Sequence, residues 1–331
     1  MTRPTILVAG ATGQVGAQAV RILMEKGHSV RALIRKEGTT LEGLDGTSGS
    51  IEYAVGSLED RASLDRALDG IETVVSSANG IIPSGKTMSV AAMAAGGYEN
   101  FISAAEAAGV RHWVQSSVPS YAGDATVPEL AGKRVIEARL ERSLIAHTIV
   151  RNPAFTDVWM VMAGALEAES RHPNATTKRP YGVMRLWQRL AGRLVTRRGI
   201  LLAPGGRTHG APFVTTRDVA EMMAGVVGKQ ASFNRTLEAG GPEWLTWGEV
   251  AELMSAKAGR PVRVVKLPAW FARLGQAIVA PVSPSAGNIL GLIKLVASHQ
   301  PLWEAPDVVK AFDLPPQTTV AEYLDANWTP A

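Results

Sequence analysis

The strongest constraint on this chain lies in its first sixteen residues. Residues 5–9 (TILVA) read as a short apolar strand. The strand runs directly into Gly10-Ala11-Thr12-Gly13-Gln14-Val15-Gly16, which opens a helical pattern ending near Lys26-Gly27. Each glycine has a distinct task in such a turn. Gly10 permits the tight bend, Gly13 lets the backbone approach a ligand, and Gly16 lets the helix pack close to the strand. The helix start offers N–H groups and the positive end of its dipole to an anion. Gly10, Thr12, Gly13, Gln14, Val15 and Gly16 are therefore read as the cradle of a dinucleotide pyrophosphate.

The pattern continues as alternating strands and helices. Strands are predicted over 29–34, 50–55, 73–76, 112–115 and 147–150. Helices are predicted over 60–68 (capped by Asp60, stopped by Gly70), 88–108 (stopped by Gly109) and 128–142. Alternation at this spacing argues for a parallel sheet covered on both faces. The fold class read here is α/β, a Rossmann-type doubly wound parallel sheet with a smaller, mostly helical substrate-binding segment. From Asn152 the rhythm breaks, and 158–210 carries helix and loop signals without strands. A strand over 211–214, a helix over 215–227 and a strand over 235–238 return to the sheet. Thr246-Trp247-Gly248-Glu249 is a capping box opening a helix that ends at Gly259. The remainder, with Pro261, Pro268, Pro281, Pro284, Pro301 and Pro306, predicts short helices over a cleft rather than a second sheet. The expected division is 1–155 plus 211–240 for the cofactor domain, and 156–210 plus 241–331 for the substrate segment.

The second strand discriminates between nucleotides. An NAD site ends this strand with an acid for the ribose 2′-OH, whereas an NADP site supplies an Arg for the 2′-phosphate. Here it ends Ala32-Leu33-Ile34-Arg35-Lys36, with no carboxylate before Glu37. Arg35 and Lys36 favour NADP(H), through guanidinium–phosphate pairing and a second charge. Arg31 is read as capping the sheet edge. Further stations follow in order. Ser57 and Leu58 lie where an adenine ring would sit. Ser76-Ser77-Ala78-Asn79-Gly80 ends the fourth strand with small residues, which lets backbone approach the ribose and nicotinamide. Ser116 and Ser117 end the fifth.

Taken in order, these motifs resemble the NmrA-like, atypical branch of the short-chain dehydrogenase/reductase superfamily. Isoflavone-reductase-like enzymes and NADPH quinone reductases look like relatives. The resemblance rests on ILVAGATGQVG at 6–16, VRALIRK at 30–36, GSLEDRASLDRAL at 56–68 and GVRHWVQSS at 109–117. It continues in the isolated Lys133, HTIVRNPAF at 147–155, TTRDVAEMM at 215–223 and LTWGEVAELM at 245–254. Typical superfamily enzymes pair a Tyr with a Lys four residues later, so that the Tyr exchanges a proton with the substrate oxygen. Here Glu129 stands four residues before Lys133, and that Tyr is absent. The resemblance implies that Lys133 contacts the cofactor or acts itself as acid. Tyr121 and Ser117 are the other candidate catalytic residues, although Tyr121 does not match the usual position. Asn152, Pro153 and Phe155 lie where similar chains line the nicotinamide.

Composition narrows the rest. The 331 residues contain no Cys, which removes disulfides, thiolate metal sites and cysteine nucleophiles and makes a reducing cytoplasm the expected compartment. The six His are scattered without metal-ligand spacing, and no metal is expected. The N-terminus leaves no room for a signal peptide, and the apolar stretch 277–297 is too interrupted by Pro, Asn and Lys to span a bilayer. The net charge is +4. Arg185, Arg189, Arg193 and Arg197 recur every fourth residue beside Leu186, Leu190 and Leu194. On one helix this makes a basic stripe next to an apolar one, read as the solvated face of a core-packed helix or as a surface for a protein partner. No feature favours nucleic acid. Trp159, Met160, Met162, Met184 and Trp187 are read as pocket lining or core.

Three functions compete. The first is an NADPH-dependent reductase acting on a small apolar carbonyl, enone or quinone-like substrate, for which a dry pocket matters more than a strong acid. The second is a redox sensor that binds NADP(H) without chemistry. The third is a sugar-nucleotide epimerase or dehydratase, against which the missing Tyr argues.

Overall fold

The computed structural model describes residues 5–79, 92–178, 182–280, 283–300 and 308–329. Gly80, residues 88–91 of the predicted Ala-rich helix, Pro281, Pro301 and Pro306 lie outside them. The chain begins with β1 (Ile6–Ala9), α1 (Gln14–Glu25), β2 (Ser29–Ile34), β3 (Ser50–Val55), α2 (Arg61–Leu68) and β4 (Thr73–Ser76). A π-helical turn (Met93–Gly97) leads into α3 (Tyr98–Ala107), followed by β5 (His112–Ser117), α4 (Pro128–Glu141) and β6 (Ala146–Arg151). Then come α5 (Thr156–Met162), α6 (Gly182–Ala191), α7 (Leu194–Arg198), β7 (Ile200–Pro204), β8 (Gly210–Ala211), α8 (Thr216–Gly225) and β9 (Arg235–Glu238). The described elements end with β10 (Leu245–Thr246), α9 (Trp247–Ala258), β11 (Arg263–Leu267), α10 (Ala269–Val279), α11 (Pro284–Ser298), α12 (Val308–Ala311) and α13 (Val320–Asn327).

Seven strands form one parallel sheet in the order β3-β2-β1-β4-β5-β6-β9. The order reverses between β1 and β4, which opens a crevice at their carboxyl ends. All four residues of β1 are buried because successive side chains feed opposite cores. Val8 joins Val20 and Leu23 of α1 and Val219 and Met223 of α8 on one face. Leu7 joins Leu64, Phe101, Trp113 and Leu140 on the other, where the Phe101 and Trp113 rings meet edge-on at 4.7 Å. Local signals set the helix starts. Asp60 caps α2 by accepting from the Ser63 backbone N–H, and Thr246 with Glu249 forms a complete capping box on α9.

A third core holds the remaining segments around Met160, Phe213, Trp247 and Met254. Four expectations are corrected there. A second sheet does exist, because β7 and β11 pair in parallel. Gly199, at φ 63°, turns the chain out of α7, and Leu201 and Ala203 then point into the core while Ile200 and Leu202 are half-exposed. The strand expected over 211–214 shrinks to β8, which pairs antiparallel with β10 outside the main sheet. Pro212 has no N–H to continue a ladder, and only an isolated Phe155–Val214 bridge follows. The Arg stripe does not run along one helix: α6 ends at Ala191 and α7 restarts at Leu194. Nor is Leu186–Leu190 a core face. Those residues are 57% and 73% exposed, while Met184 and Ala191 carry the burial.

Candidate functional site

A cavity of about 680 Å³ lies against the carboxyl ends of the sheet strands. Its first wall is the glycine turn, with Gly10, Thr12, Gly13, Gln14 and Val15. Gly10 has φ +79°, and a Cβ there would sit 2.7 Å from the Ala78 backbone nitrogen. Only glycine satisfies both restrictions. Gly13 is the N-cap of α1 and no side chain caps the helix, so its N-terminus opens onto the cavity. Such a mouth suits a phosphate. The exposed Arg35, at the end of β2, lines the same space with Ser57 and Leu58. That combination of uncapped helix, close-packed glycines and guanidinium fits a phosphorylated dinucleotide.

Two predicted residues are not on this wall. Gly16 packs beneath it: a Cβ there would lie 2.1 Å from the Gly10 carbonyl oxygen. Lys36 is exposed and absent from the lining. Gln14 lines the cavity, but its side chain is engaged elsewhere. Its Nε2 donates to Asp157 Oδ1 at 3.0 Å and its Oε1 accepts from the Thr176 N–H at 2.9 Å. Asp157 also accepts from the Thr216 N–H at 2.8 Å, and burial pushes its carboxyl above the usual range. The glycine turn is thus clamped to α5 and to the backbone at Thr176.

The opposite end is built by β4, β5, α4 and β6. Glu129, Lys133 and Glu137 fall on one face of α4 at four-residue spacing, all buried against the sheet. Lys133 Nζ donates to the Ser116 carbonyl at 2.9 Å. Glu129 accepts from Asn79 Nδ2 at 3.3 Å. Burial pushes the Lys133 ammonium below and the Glu129 carboxyl above their ordinary values, each opposed by the other's charge. Ser77, Ala78 and Asn79, which follow β4, line the cavity.

Ser117 also lines it, yet its hydroxyl is given to Glu137 Oε1 at 2.6 Å. Glu137 is held further by Arg134 at 2.6 Å and Arg151 at 2.8 Å. Against the cost of burial, hydrogen bonds from Arg151, Ser117 and Arg134 keep its carboxyl below the usual value. Tyr121 lines the cavity, and burial together with Asp124 and Glu238 raises its phenol, which stays protonated. Asn152 accepts from Ser116 Oγ at 3.0 Å, and Pro153 and Phe155 complete this wall.

Beyond Lys133 the lining is apolar, with Trp159, Met162, Met184, Leu292, Ile293 and Val296. Of the other aromatic and Met candidates, Met160 lies in the third core, while the Trp187 indole N–H donates to the Met162 carbonyl at 3.1 Å. Neither lines the cavity. The sequence reading expected short helices over the cleft in the Pro-rich remainder but named none of the α11 residues that line it, and it missed Glu129 as a lining residue. For α11 the signal was present: Ile289, Leu292, Ile293 and Val296 recur at helical spacing. For Glu129 only its distance from Lys133 was visible.

A sequence profile of the NmrA-like family matches residues 2–324. The chain belongs to the NmrA-like family. This NmrA-like protein is 25% identical over 323 residues to an NAD(P)H azoreductase of Xenophilus azovorans, covering 97% of each chain. Its fold is similar to that of an NADPH-dependent quinone oxidoreductase of Escherichia coli solved with NADPH, at TM-score 0.71 and 20% identity over 98% of this chain and 100% of that one. It is similar also to the triphenylmethane reductase of Citrobacter sp. solved with NADP(H), at TM-score 0.70 and 18% identity over 98% and 99%. Among the described residues of this NmrA-like protein, no helix is long and apolar enough to cross a membrane.

Proposed function

We propose that this NmrA-like protein is an NADPH-dependent reductase of small, apolar carbonyl, enone or quinone-like acceptors. One observation carries the reading. A single cavity joins an uncapped helix mouth and Arg35 at one end to a buried Lys133 at the other, and beyond Lys133 Trp159, Met162, Met184, Leu292, Ile293 and Val296 give it an apolar wall. The residues divide the work accordingly. The turn at Gly10 to Val15 takes the pyrophosphate, with Gly16 supporting it from below. Arg35 takes the 2′-phosphate, and Lys36 adds positive charge nearby. Ser57 and Leu58 flank the adenine. Ser77, Ala78, Asn79, Lys133, Asn152, Pro153 and Phe155 hold the ribose and nicotinamide. The apolar wall excludes water and receives the acceptor. When bound, NADPH supplies the hydride. Residues 1–155 with 211–240 form the cofactor half, and 156–210 with 241–331 the substrate half. The named activities of the azoreductase and the two reductases support a reductase reading.

The test is NADPH oxidation against a panel of quinones, enones, aldehydes and azo compounds. Turnover on at least one class is expected. Tight NADPH binding with no turnover on any of them would overturn the reductase reading in favour of a sensor.

A further inference from the structure

Hydride transfer to a neutral double bond leaves an electron pair on the second atom, which needs a proton. Tyr121 and Ser117 are poor sources. The first is a phenol driven towards higher pKa by burial, and the second already gives its proton to Glu137. Two acids line the cavity, the exposed Glu59 beside Ser57 and Leu58 at the far end and one buried acid at the Lys133 end. Glu129 is only 7% exposed, lines the cavity beside Asn79 and Lys133, and belongs to no ion pair within 4 Å among the described residues. The neighbouring Glu137, by contrast, is locked between two Arg side chains.

The surroundings of Glu129 suit an acid that gives up and regains a proton. Asn79 Nδ2 holds one carboxyl oxygen at 3.3 Å, which orients the group. Lys133 sits one helical turn away and would stabilise the carboxylate after the proton leaves. A second cavity of about 20 Å³ adjoins the first, lined by Asn79, Glu129, Lys133 and Tyr98. It has the volume of one water, the molecule from which the carboxylate would regain its proton. Tyr98 remains a neutral phenol there, buried and hydrogen-bonded to the Ala78 carbonyl at 2.8 Å. Burial favours the protonated form of Glu129.

We infer that the Glu129 carboxyl is the proton donor of the reduction, with Lys133 as its charge partner. The inference rests on the reductase reading. Its balance is simple. Hydride adds to one atom of the acceptor's double bond, and the other atom keeps the bond's electron pair. That pair takes the proton from Glu129, whose carboxylate then recovers a proton from water. The net change is one hydride and one proton added to the acceptor.

Two acceptor types separate this step from hydride transfer. A neutral azo dye or enone needs the proton. A cationic triarylmethane dye does not, because hydride addition to its central carbon gives a neutral product. Glu129→Gln should lower turnover on the neutral acceptor by about 10²-fold. Turnover on the cationic dye should fall far less than turnover on the neutral acceptor. In the wild type, turnover on the neutral acceptor alone should fall as pH rises through the folded pKa of Glu129. A readout without turnover is the infrared band of the protonated Glu129 carboxyl in the cofactor-free protein, which should persist above the ordinary carboxylate range and be absent from Glu129→Gln. Equal wild-type and variant rates on the neutral acceptor would overturn the assignment, as would equal losses on both acceptors or absence of the band. Failure of the wild type on every acceptor would instead overturn the reductase reading, and the donor assignment with it.

Discussion

Gly16→Ala tests whether the glycine turn is held as tightly as the geometry requires. A methyl at this position would lie 2.1 Å from the Gly10 carbonyl oxygen and 2.7 Å from the Gly10 carbonyl carbon. Both are backbone atoms, so no side-chain rotation relieves the clash. The turn, the helix or both must move by about 1 Å to restore ordinary contact. Overpacking of this kind costs about 1–3 kcal/mol. Ala gains about 1 kcal/mol over Gly in helix propensity, so the net loss should be about 0–2 kcal/mol. The shift also displaces the helix mouth that faces the cavity. Partial loss of charge-assisted phosphate contacts should weaken NADPH binding about tenfold. Gly96→Ala is the control: Gly96 is exposed, and a Cβ there meets nothing within 4 Å. That change should stabilise by about 0.4–1 kcal/mol and leave NADPH affinity alone. Urea unfolding and NADPH titration read both effects. Wild-type stability and affinity in Gly16→Ala would refute the close-packing argument.

Arg35→Ala should weaken NADPH about tenfold, at the lower end for a charged hydrogen bond because Arg35 is exposed, and leave NADH nearly unaffected in the same titration. Equal losses for both cofactors would remove Arg35 from the 2′-phosphate. Glu137→Gln weakens the ties to Arg134 and Arg151, which keep Asp124 and Glu238 as partners, and should destabilise by about 1–3 kcal/mol at neutral pH, measured by urea unfolding. The Glu137 carboxyl lies lower in the folded than in the unfolded protein, so its contribution is present above the unfolded value and lost as pH falls through the folded one. The variant should therefore show a shallower stability loss as pH falls below the ordinary carboxylate range. His112 is held neutral by burial, with its pKa lowered to about 4. Its stabilising effect is complete above the unfolded value and is lost as pH falls towards about 4. An imidazole NMR titration with an ordinary midpoint would contradict the buried placement.

What the sequence determined by itself are the features whose causes are local. The glycine turn, the Asp60 cap and the Thr246–Glu249 box each lie within a few residues of what they control. The strand–helix alternation likewise repeats within short windows, and the parallel sheet follows from its rhythm. Tertiary structure decided the rest, because pairing and burial depend on partners distant in sequence. β7 is a strand only because β11 lies beside it. Leu186 and Leu190 have the spacing of a core face, but α6 turns Met184 inward instead. Residue type does not show which Trp or Met faces a cavity and which faces a core, as Met162 and Met160 illustrate. Glu129 marks the same boundary. Its distance from Lys133 is a matter of counting, but its burial beside Asn79 exists only after β4 and α4 have packed together.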